Sequence, residues 1–372
     1  MAEQNFMPDA KYMKQAIELA KTACGFTNPN PMVGAVIVKD GRVLAEGCHE
    51  CYGQLHAERN AISKLTESAE GATIYVTLEP CCHHGKQPPC TEAIAENKIA
   101  RVVIGSRDPN PLVAGKGVSY LREHGIEVIE DFMKEECDAI NPVFFHYITT
   151  KLPYVVMKYA MTADGKIATA EGQSQWITGE EAREHVHSLR SRYSAIMAGI
   201  GTVLADNPML NCRIEGKHQP VRIIVDSSLR IPLDCKIVKS ACEYRTIAAA
   251  METTSDNILE KKKTLENLGI EVVFLPEKNG HVDIDALFEY LGEIKIDSVL
   301  VEGGGILNEA VMKTGKFNEV MVYIAPKLVG GSNAKTPIEG EGIAALAECK
   351  KLKLASVSVF EEDVLLRYKH EV

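Results

Sequence analysis

The sequence predicts an α/β protein built as two domains, and three observations carry that reading. The chain has 372 residues, 45% hydrophobic and 25% charged, an ordinary globular composition at a length that suits two cores of roughly 100–200 residues each. Apolar residues switch repeatedly between helical and strand periods in both halves. The alternation breaks once, at residues 141–153, and then restarts.

The elements follow in order. Asp9 fits an N-cap for a helix running to about residue 24, with Met13, Ala16, Ile17 and Ala20 on one face. Residues 33–38 form a β-branched apolar run, Asp40-Gly41 marks a hairpin, and residues 42–47 return as a second strand. Then come helix 56–65, strand 73–78, helix 91–97, strand 101–105, helix 117–124 and strand 126–129. A hairpin followed by helix–strand units predicts a mixed sheet covered by helices. The stretch NPVFFHYITTKLP fits neither period and takes the domain boundary, giving domains 1–148 and 149–372. Beyond it, strands are predicted at 154–159, 195–198, 221–225, 246–250, 271–275, 298–301, 319–325 and 364–370. Helices are predicted at 180–191, 257–268, 284–292 and 307–314.

Bulk properties narrow the function classes. The net charge is −10, with 14 basic and 20 acidic side chains in residues 1–150 and 27 and 31 in the remainder. Neither half is a basic module, so no nucleic-acid partner is expected. The first residues lack a basic region followed by an apolar one. The longest uncharged apolar stretch, near residues 195–205, is short of the ~18–20 residues of a membrane span. A cytoplasmic protein with no membrane partner is expected. In that compartment the eleven cysteines do not read as a disulfide framework. Six lie in the first 90 residues, and Cys81, Cys82 and Cys90 crowd together, which points to a metal.

His56-Ala57-Glu58, then Pro80-Cys81 and Cys90, is the strongest signal. One imidazole and two thiolates supply three ligands to a tetrahedral zinc, leaving one position for water, whose pKa falls to about 7. Glu58 is too close to His56 to be a comfortable co-ligand but can move the water's proton to a leaving amine. H-x-E with P-C and a further Cys is the pattern of zinc-dependent nucleobase deaminases. The spacing departs from P-C-x-x-C, because the third residue after Cys81 is His84. Cys82 rivals Cys81 as ligand. A structural zinc with His83 or His84 as fourth ligand is the alternative.

The string LEPCCHHGKQPPC, with NPNPMVG and HAERNAI upstream, resembles the bifunctional deaminase/reductase family of riboflavin biosynthesis. The resemblance continues through KYAMTADGKIA, SQWIT, GTVLADNP, VRIIVDS, VEGGG and YIAPKLVGG, across nearly the whole chain. It implies an amino-terminal cytidine-deaminase-like α/β/α sandwich and a carboxy-terminal dihydrofolate-reductase-like α/β domain. It implies zinc-dependent deamination of 2,5-diamino-6-ribosylamino-4(3H)-pyrimidinone 5′-phosphate, then NADPH reduction of the ribosyl group. The product is 5-amino-6-(5-phosphoribitylamino)uracil. The zinc ligands match His56, Cys81 and Cys90, with one Zn2+ per deaminase domain, and the proton shuttle matches Glu58. The family commonly has Ser at the position of Cys82. Asn28, His49 and Lys86 match deaminase substrate positions: an amide can read a pyrimidine edge and a lysine can meet a phosphate.

In the second half, two glycine runs follow strands: Gly199-Ile200-Gly201-Thr202 and Gly303-Gly304-Gly305. Neither is the Rossmann G-x-G-x-x-G, but side-chain-free turns let a diphosphate approach backbone N–H groups. The resemblance assigns Ala160, Trp176, Thr202, Asp206, Ser227, Gly303, Gly304 and Gly305 to NADP. It assigns Ser174, Arg190, Leu210, Arg213 and Glu302 to substrate. Trp176 reads equally as core packing. Lys158 and Glu302 are the candidates for polarising or protonating the sugar. The resemblance also implies a homo-oligomer. The rival readings are a deaminase with a non-catalytic second domain, and a nucleic-acid base deaminase.

Overall fold

The computed structural model describes residues 6–84, 87–110 and 114–371. The chain divides into two compact units, Met1–Thr150 and Lys151–Val372.

In the first unit the order is α1 (Ala10–Thr22), β1 (Gly34–Lys39), β2 (Arg42–Cys48), α2 (Ala57–Ser63), β3 (Thr73–Leu78), α3 (Cys90–Glu96), β4 (Arg101–Ser106), α4 (Lys116–Glu123), β5 (Glu127–Ile129), α5 (Lys134–Ile140) and α6 (Pro142–Thr150). The five strands form one mixed sheet, β2-β1-β3-β4-β5. β1 runs antiparallel to β2 and β3, and β3, β4 and β5 are parallel. Asp9 caps α1 by accepting the Lys11 N–H at 2.9 Å, as its position predicted. Met13, Ala16, Ile17 and Ala20 then pack on Val36, Tyr75 and Val103, with Cys137 and Ile140 of α5 in the same layer. The alternate side chains, Ala35, Ile37, Ile74, Val76 and Ile104, face Ala57, Ala61, Ile94, Leu121 and Phe144 from α2, α3, α4 and α6. The central strands are apolar without alternation because both of their faces are covered.

Residues 141–153, which fit neither period, contain the nine-residue helix α6. Pro142 opens it, at a position that needs no N–H donor. Asn141 fixes its start by accepting the Met32 N–H and donating to the Met32 carbonyl, both at 2.8 Å. The segment VFFHYI is apolar on every side, so it shows no stripe to read.

The second unit contains β6 (Tyr154–Thr162), α7 (Glu180–Arg192), β7 (Ala195–Gly199), α8 (Ile200–Asp206), β8 (Val221–Val225), α9 (Lys236–Lys239), β9 (Thr246–Met251), α10 (Asp256–Asn267), β10 (Ile270–Leu275), a small hairpin of β11 (Glu277–Lys278) and β12 (His281–Val282), α11 (Ile284–Glu293), β13 (Ser298–Val301), α12 (Gly305–Thr314), β14 (Glu319–Ala325), β15 (Leu352–Phe360) and β16 (Asp363–His370). The large sheet has the order β10-β9-β8-β7-β13-β6-β14-β16-β15. The strands from β10 to β14 are parallel, and the β16–β15 hairpin is antiparallel. β15 is absent from the sequence prediction. Its register shifts between Leu354 and Ser356, which breaks the period-two pattern.

The strand order reverses between β7 and β13. From β7 the chain winds outward through β8, β9 and β10, with Ile200, Val203, Ile237, Val238 and Leu265 of α8, α9 and α10 on one face. It returns to β13 with Ile284, Leu287, Leu307 and Val311 of α11 and α12 on the other face. Ligands of such sheets bind beyond the carboxyl ends of the strands at this reversal. Both glycine runs lie there, one after β7 and one after β13. No described helix is long and apolar enough to cross a membrane.

Candidate active sites

In the first unit, His56 is the N-cap residue of α2 and Cys90 is the first residue of α3. The His56 Nδ1 lies 3.4 Å from the Cys81 Sγ and 3.5 Å from the Cys90 Sγ. The ligand atoms of all three lie within 4.8 Å of one another. A tetrahedral zinc with N and S arms of about 2.1 and 2.3 Å has N···S edges of about 3.6 Å, so the donor set and its spacing fit that ion. The Cys90 N–H points at the Cys81 sulfur at 3.4 Å. Hydrogen bonding from Cys90 and His56 draws the Cys81 thiol down to about 4, against the cost of burial. Cys81, not the half-buried Cys82, belongs to the cluster. His83 and His84 are exposed, and His84 pairs with Glu92 at 3.3 Å instead, so neither completes a four-ligand structural site.

Glu58 is 3% exposed. Burial first, then the charge of Cys81, pushes its carboxyl up to about 7, and its side chain meets that of Cys90. A carboxyl of that pKa can both take and give a proton at neutral pH. His49 is buried. Its ring meets the Leu55 carbonyl at 3.0 Å and the Asn30 amide at 3.2 Å, and stands edge-on to His56 with ring centroids 5.5 Å apart. Asn28 precedes this loop. Lys86 lies outside the described residues.

Two acidic residues here escaped the sequence reading. Glu79, directly before Pro80-Cys81, accepts the N–H groups of Gly115 and Gly117, each at 3.1 Å, and of Val118 at 3.4 Å. That bond set fixes the start of α4 beside the metal-ligand loop. The fit is tight, since a Cβ on Gly117 would lie 2.2 Å from the Pro80 carbonyl oxygen. Asp108 is buried, and its carboxyl is pushed up to about 6 by burial, then by Glu79 and Cys81. A signal existed: Asp108-Pro109-Asn110-Pro111 repeats the pattern of Asn28-Pro29-Asn30-Pro31.

In the second unit, Glu302 directly follows β13, its N–H bonded to the Met197 carbonyl of β7 at 2.9 Å. Its carboxylate meets the Lys158 Nζ at 2.8 Å, the Arg190 Nε at 2.8 Å and the Arg190 Nη2 at 3.0 Å. Burial alone would raise its pKa, but Arg190 and Lys158 outweigh it and hold the carboxyl well below the usual range. Arg190 also donates to the Asn211 carbonyl at 3.1 Å. Three of its five N–H donors are thus spent inside the protein, so its first task is to fix Glu302 rather than to grip a phosphate. Arg213 is exposed, and its N–H donates to the His187 Nδ1 at 3.3 Å.

Of the cofactor candidates, Thr202 and the glycine run 303–305 lie at the sheet reversal. Gly304 caps α12 and Gly305 opens it, and a Cβ on Gly304 would lie 3.9 Å from the Thr202 Oγ1. The two glycine runs therefore abut, although Ile200 and Thr202 lie in α8 rather than in a loop. Ser174 donates to the Asp206 carboxylate at 2.9 Å, which brings a substrate candidate and a cofactor candidate together. Trp176 is 58% exposed and so is not a core residue; Arg183 stacks on it at 4.8 Å, and Lys327 bonds its carbonyl at 2.8 Å. Ala160 lies on β6 opposite Tyr323. The Ser227 hydroxyl accepts the Val282 N–H at 3.1 Å. The Leu210 side chain is buried in the apolar layer.

Two family profiles match this chain. Residues 7–106 match the cytidine and deoxycytidylate deaminase zinc-binding region, and residues 153–366 match the RibD C-terminal domain. A riboflavin biosynthesis protein RibD of Actinobacillus pleuropneumoniae is 57% identical, covering 97% of this chain and 95% of its own. That of Escherichia coli is 38% identical over 97% and 99%. The chain belongs to the RibD family. RibD of Acinetobacter baumannii superposes with a TM-score of 0.86 at 36% identity, covering 97% of this chain and 98% of its own. The Thermotoga maritima diaminohydroxyphosphoribosylaminopyrimidine deaminase/5-amino-6-(5-phosphoribosylamino)uracil reductase superposes at 0.85 and 38% identity, with the same coverage. As a RibD protein, this chain is a bifunctional deaminase and reductase of riboflavin biosynthesis. Its first unit is cytidine-deaminase-like and its second dihydrofolate-reductase-like.

Proposed function

We propose that residues 1–148 deaminate 2,5-diamino-6-ribosylamino-4(3H)-pyrimidinone 5′-phosphate and that residues 149–372 reduce the deaminated ribosyl compound to 5-amino-6-(5-phosphoribitylamino)uracil. The observation that carries the first step is the His56–Cys81–Cys90 triangle with the buried Glu58 beside it. One Zn2+ would be held by those three side chains, and when bound it supplies an ionised water at neutral pH. Glu58 takes the proton and returns it to the leaving amine. Asn28 and His49 hold the pyrimidine edge, and Lys86 holds the phosphate.

For the second step, NADPH supplies the hydride when bound. Gly303, Gly304, Gly305, Thr202, Ala160, Trp176, Asp206 and Ser227 form its side of the crevice. Ser174, Arg190, Leu210, Arg213 and Glu302 form the substrate side. The depressed Glu302 carboxyl stays ionised, so it positions rather than donates, and Lys158 is the proton donor to the sugar oxygen. The protein works in the cytoplasm and self-associates. Purified protein with the diaminopyrimidine nucleotide and NADPH releases ammonia and oxidises NADPH in equal amounts. Ammonia release without NADPH oxidation would return the second unit to a non-catalytic role. Activity on a single-stranded oligonucleotide in place of the nucleotide would sink the substrate assignment.

A further inference from the structure

Residues 207–220, between α8 and β8, belong to no helix or strand, yet side chains from elsewhere fasten their backbone at successive points. The Met209 carbonyl accepts from Arg222 at 3.1 Å. Leu210 then turns the chain with a φ of +52°, a conformation that residues other than glycine rarely adopt. The Asn211 carbonyl accepts from Arg190 at 3.1 Å. Gln219 takes the Cys212 N–H at 3.0 Å and donates to the Cys212 carbonyl at 2.9 Å. The last fastening is His187, on α7 one turn before Arg190. Its Nδ1 accepts the Arg213 N–H at 3.3 Å, and its own carbonyl accepts the Cys212 thiol at 3.2 Å.

The side chain that this path delivers is Arg213. It is exposed, whereas Arg190 spends three N–H donors on Glu302 and Asn211. Of the two arginines placed on the substrate side, Arg213 is therefore the one suited to take a phosphate on its fork of donors. A fork that must meet two oxygens at once depends on where its backbone starts. The His187 Nδ1 accepts an N–H only from a neutral ring that carries its proton on Nε2. Burial, then Arg190 and Arg213, push the imidazole down to about 4, outweighing Glu302 and the Asn211 carbonyl, which pull the other way. The ring is thus neutral at pH 7 and keeps its acceptor. A protonated ring would lose this bond and repel both arginines.

We propose that His187 is a positioning residue of the reductase, setting the backbone of Arg213 so that its guanidinium meets the 5′-phosphate of the substrate. The inference rests on the placing of Arg213 on the substrate side. Steady-state kinetics of the full chain with the deaminated ribosyl 5′-phosphate and NADPH test it. His187→Leu should raise KM for the nucleotide about 10-fold, with kcat and KM for NADPH within about 2-fold of wild type, as for a contact to a non-reacting group. His187→Asn, whose Oδ1 can replace Nδ1 as acceptor, should recover most of that loss. Arg213→Ala should raise the same KM at least as far. Adding His187→Leu to it should cost little more, because the imidazole then has no guanidinium to place. His187→Ala reads the same quantity if the leucine variant folds poorly. An unchanged KM in Arg213→Ala removes the substrate role of Arg213 and the inference with it. A raised KM in Arg213→Ala beside an unchanged KM in folded His187→Leu overturns the inference alone. So does no recovery with asparagine, or a full further loss in the double variant.

Discussion

At the scale of single residues, the two candidate sites hold two carboxyl groups shifted in opposite directions. Glu58 has burial and a neighbouring thiolate against it and is raised to about 7. Glu302 is enclosed less completely, its side chain 8% exposed, and two cations overcome the burial and lower it. The same side-chain type is therefore suited to proton transfer in one unit and to fixing a lysine in the other. Glu58→Gln should retain zinc, measured as metal content, while ammonia release falls about 10²–10⁴-fold, the usual worth of general acid–base catalysis. Glu302→Gln should slow reduction, and it should also change the acid response. An unfolded Glu binds a proton near pH 4.3 whereas the folded one does not. Its contribution is thus complete above that pH and is lost as pH falls toward the folded value. Stability of the wild-type second unit should drop faster below about pH 4.5 than that of the variant, as read from urea midpoints. His56, Cys90, Glu58 and the Cys81–Cys82 pair stood out because their residue types and spacing suggest a metal and a base, and the structure brings Cys81 rather than Cys82 into the cluster. Glu79 and Asp108 were not, because their importance comes from burial and from bonds to residues distant in sequence.

At the scale of elements, what could be read was what had a period. Strands β3, β8, β13 and β14 fall where the alternation placed them, since buried parallel strands are short apolar runs between turn signals. Helix α6 is apolar all round, and β15 has its period broken by a bulge, so neither displays a pattern. Two contacts between elements give sharp expectations. Gly117→Ala sets a Cβ against the Pro80 carbonyl, a backbone atom that cannot swing aside. Moving it displaces Cys81, so the variant should lose about 1–3 kcal/mol and bind zinc more weakly, seen in melting temperature and metal content together. Arg222 is fully buried on β8. It donates to the carbonyls of Met209, Ile237 and Tyr244 and to the hydroxyls of Ser240 and Thr246, at 2.7–3.1 Å. It ties β8, β9, α9 and the Leu210 loop together. Arg222→Met strips all of these acceptors at once and should cost about 3–5 kcal/mol, measured by denaturant unfolding. Nothing in the segment VRIIV announced that its arginine is the most enclosed cation of the sheet's outer half.

At the scale of the whole molecule, two units with separate cores carry two sites that share no residue. Each metal-ligand candidate lies in Met1–Thr150, and each cofactor candidate in Lys151–Val372. A thiolate–imidazole metal site gives up its ion to a strong chelator, whereas a crevice built from backbone N–H groups, a lysine and a glutamate has no metal to lose. Chelation should therefore abolish ammonia release and leave NADPH oxidation intact when the deaminated nucleotide is supplied directly. Adding zinc back should restore the first activity in proportion to metal bound. Lys158→Met should do the reverse, keeping ammonia release while NADPH oxidation falls at least ~10²-fold, as for loss of a proton donor. Supplied with the diamino nucleotide, that variant should accumulate the deaminated ribosyl compound, which wild-type protein added later consumes. Loss of both activities on chelation, with the second unit still folded by circular dichroism, would mean that reduction also depends on the metal. The division of labour argued from the two clusters would then be wrong.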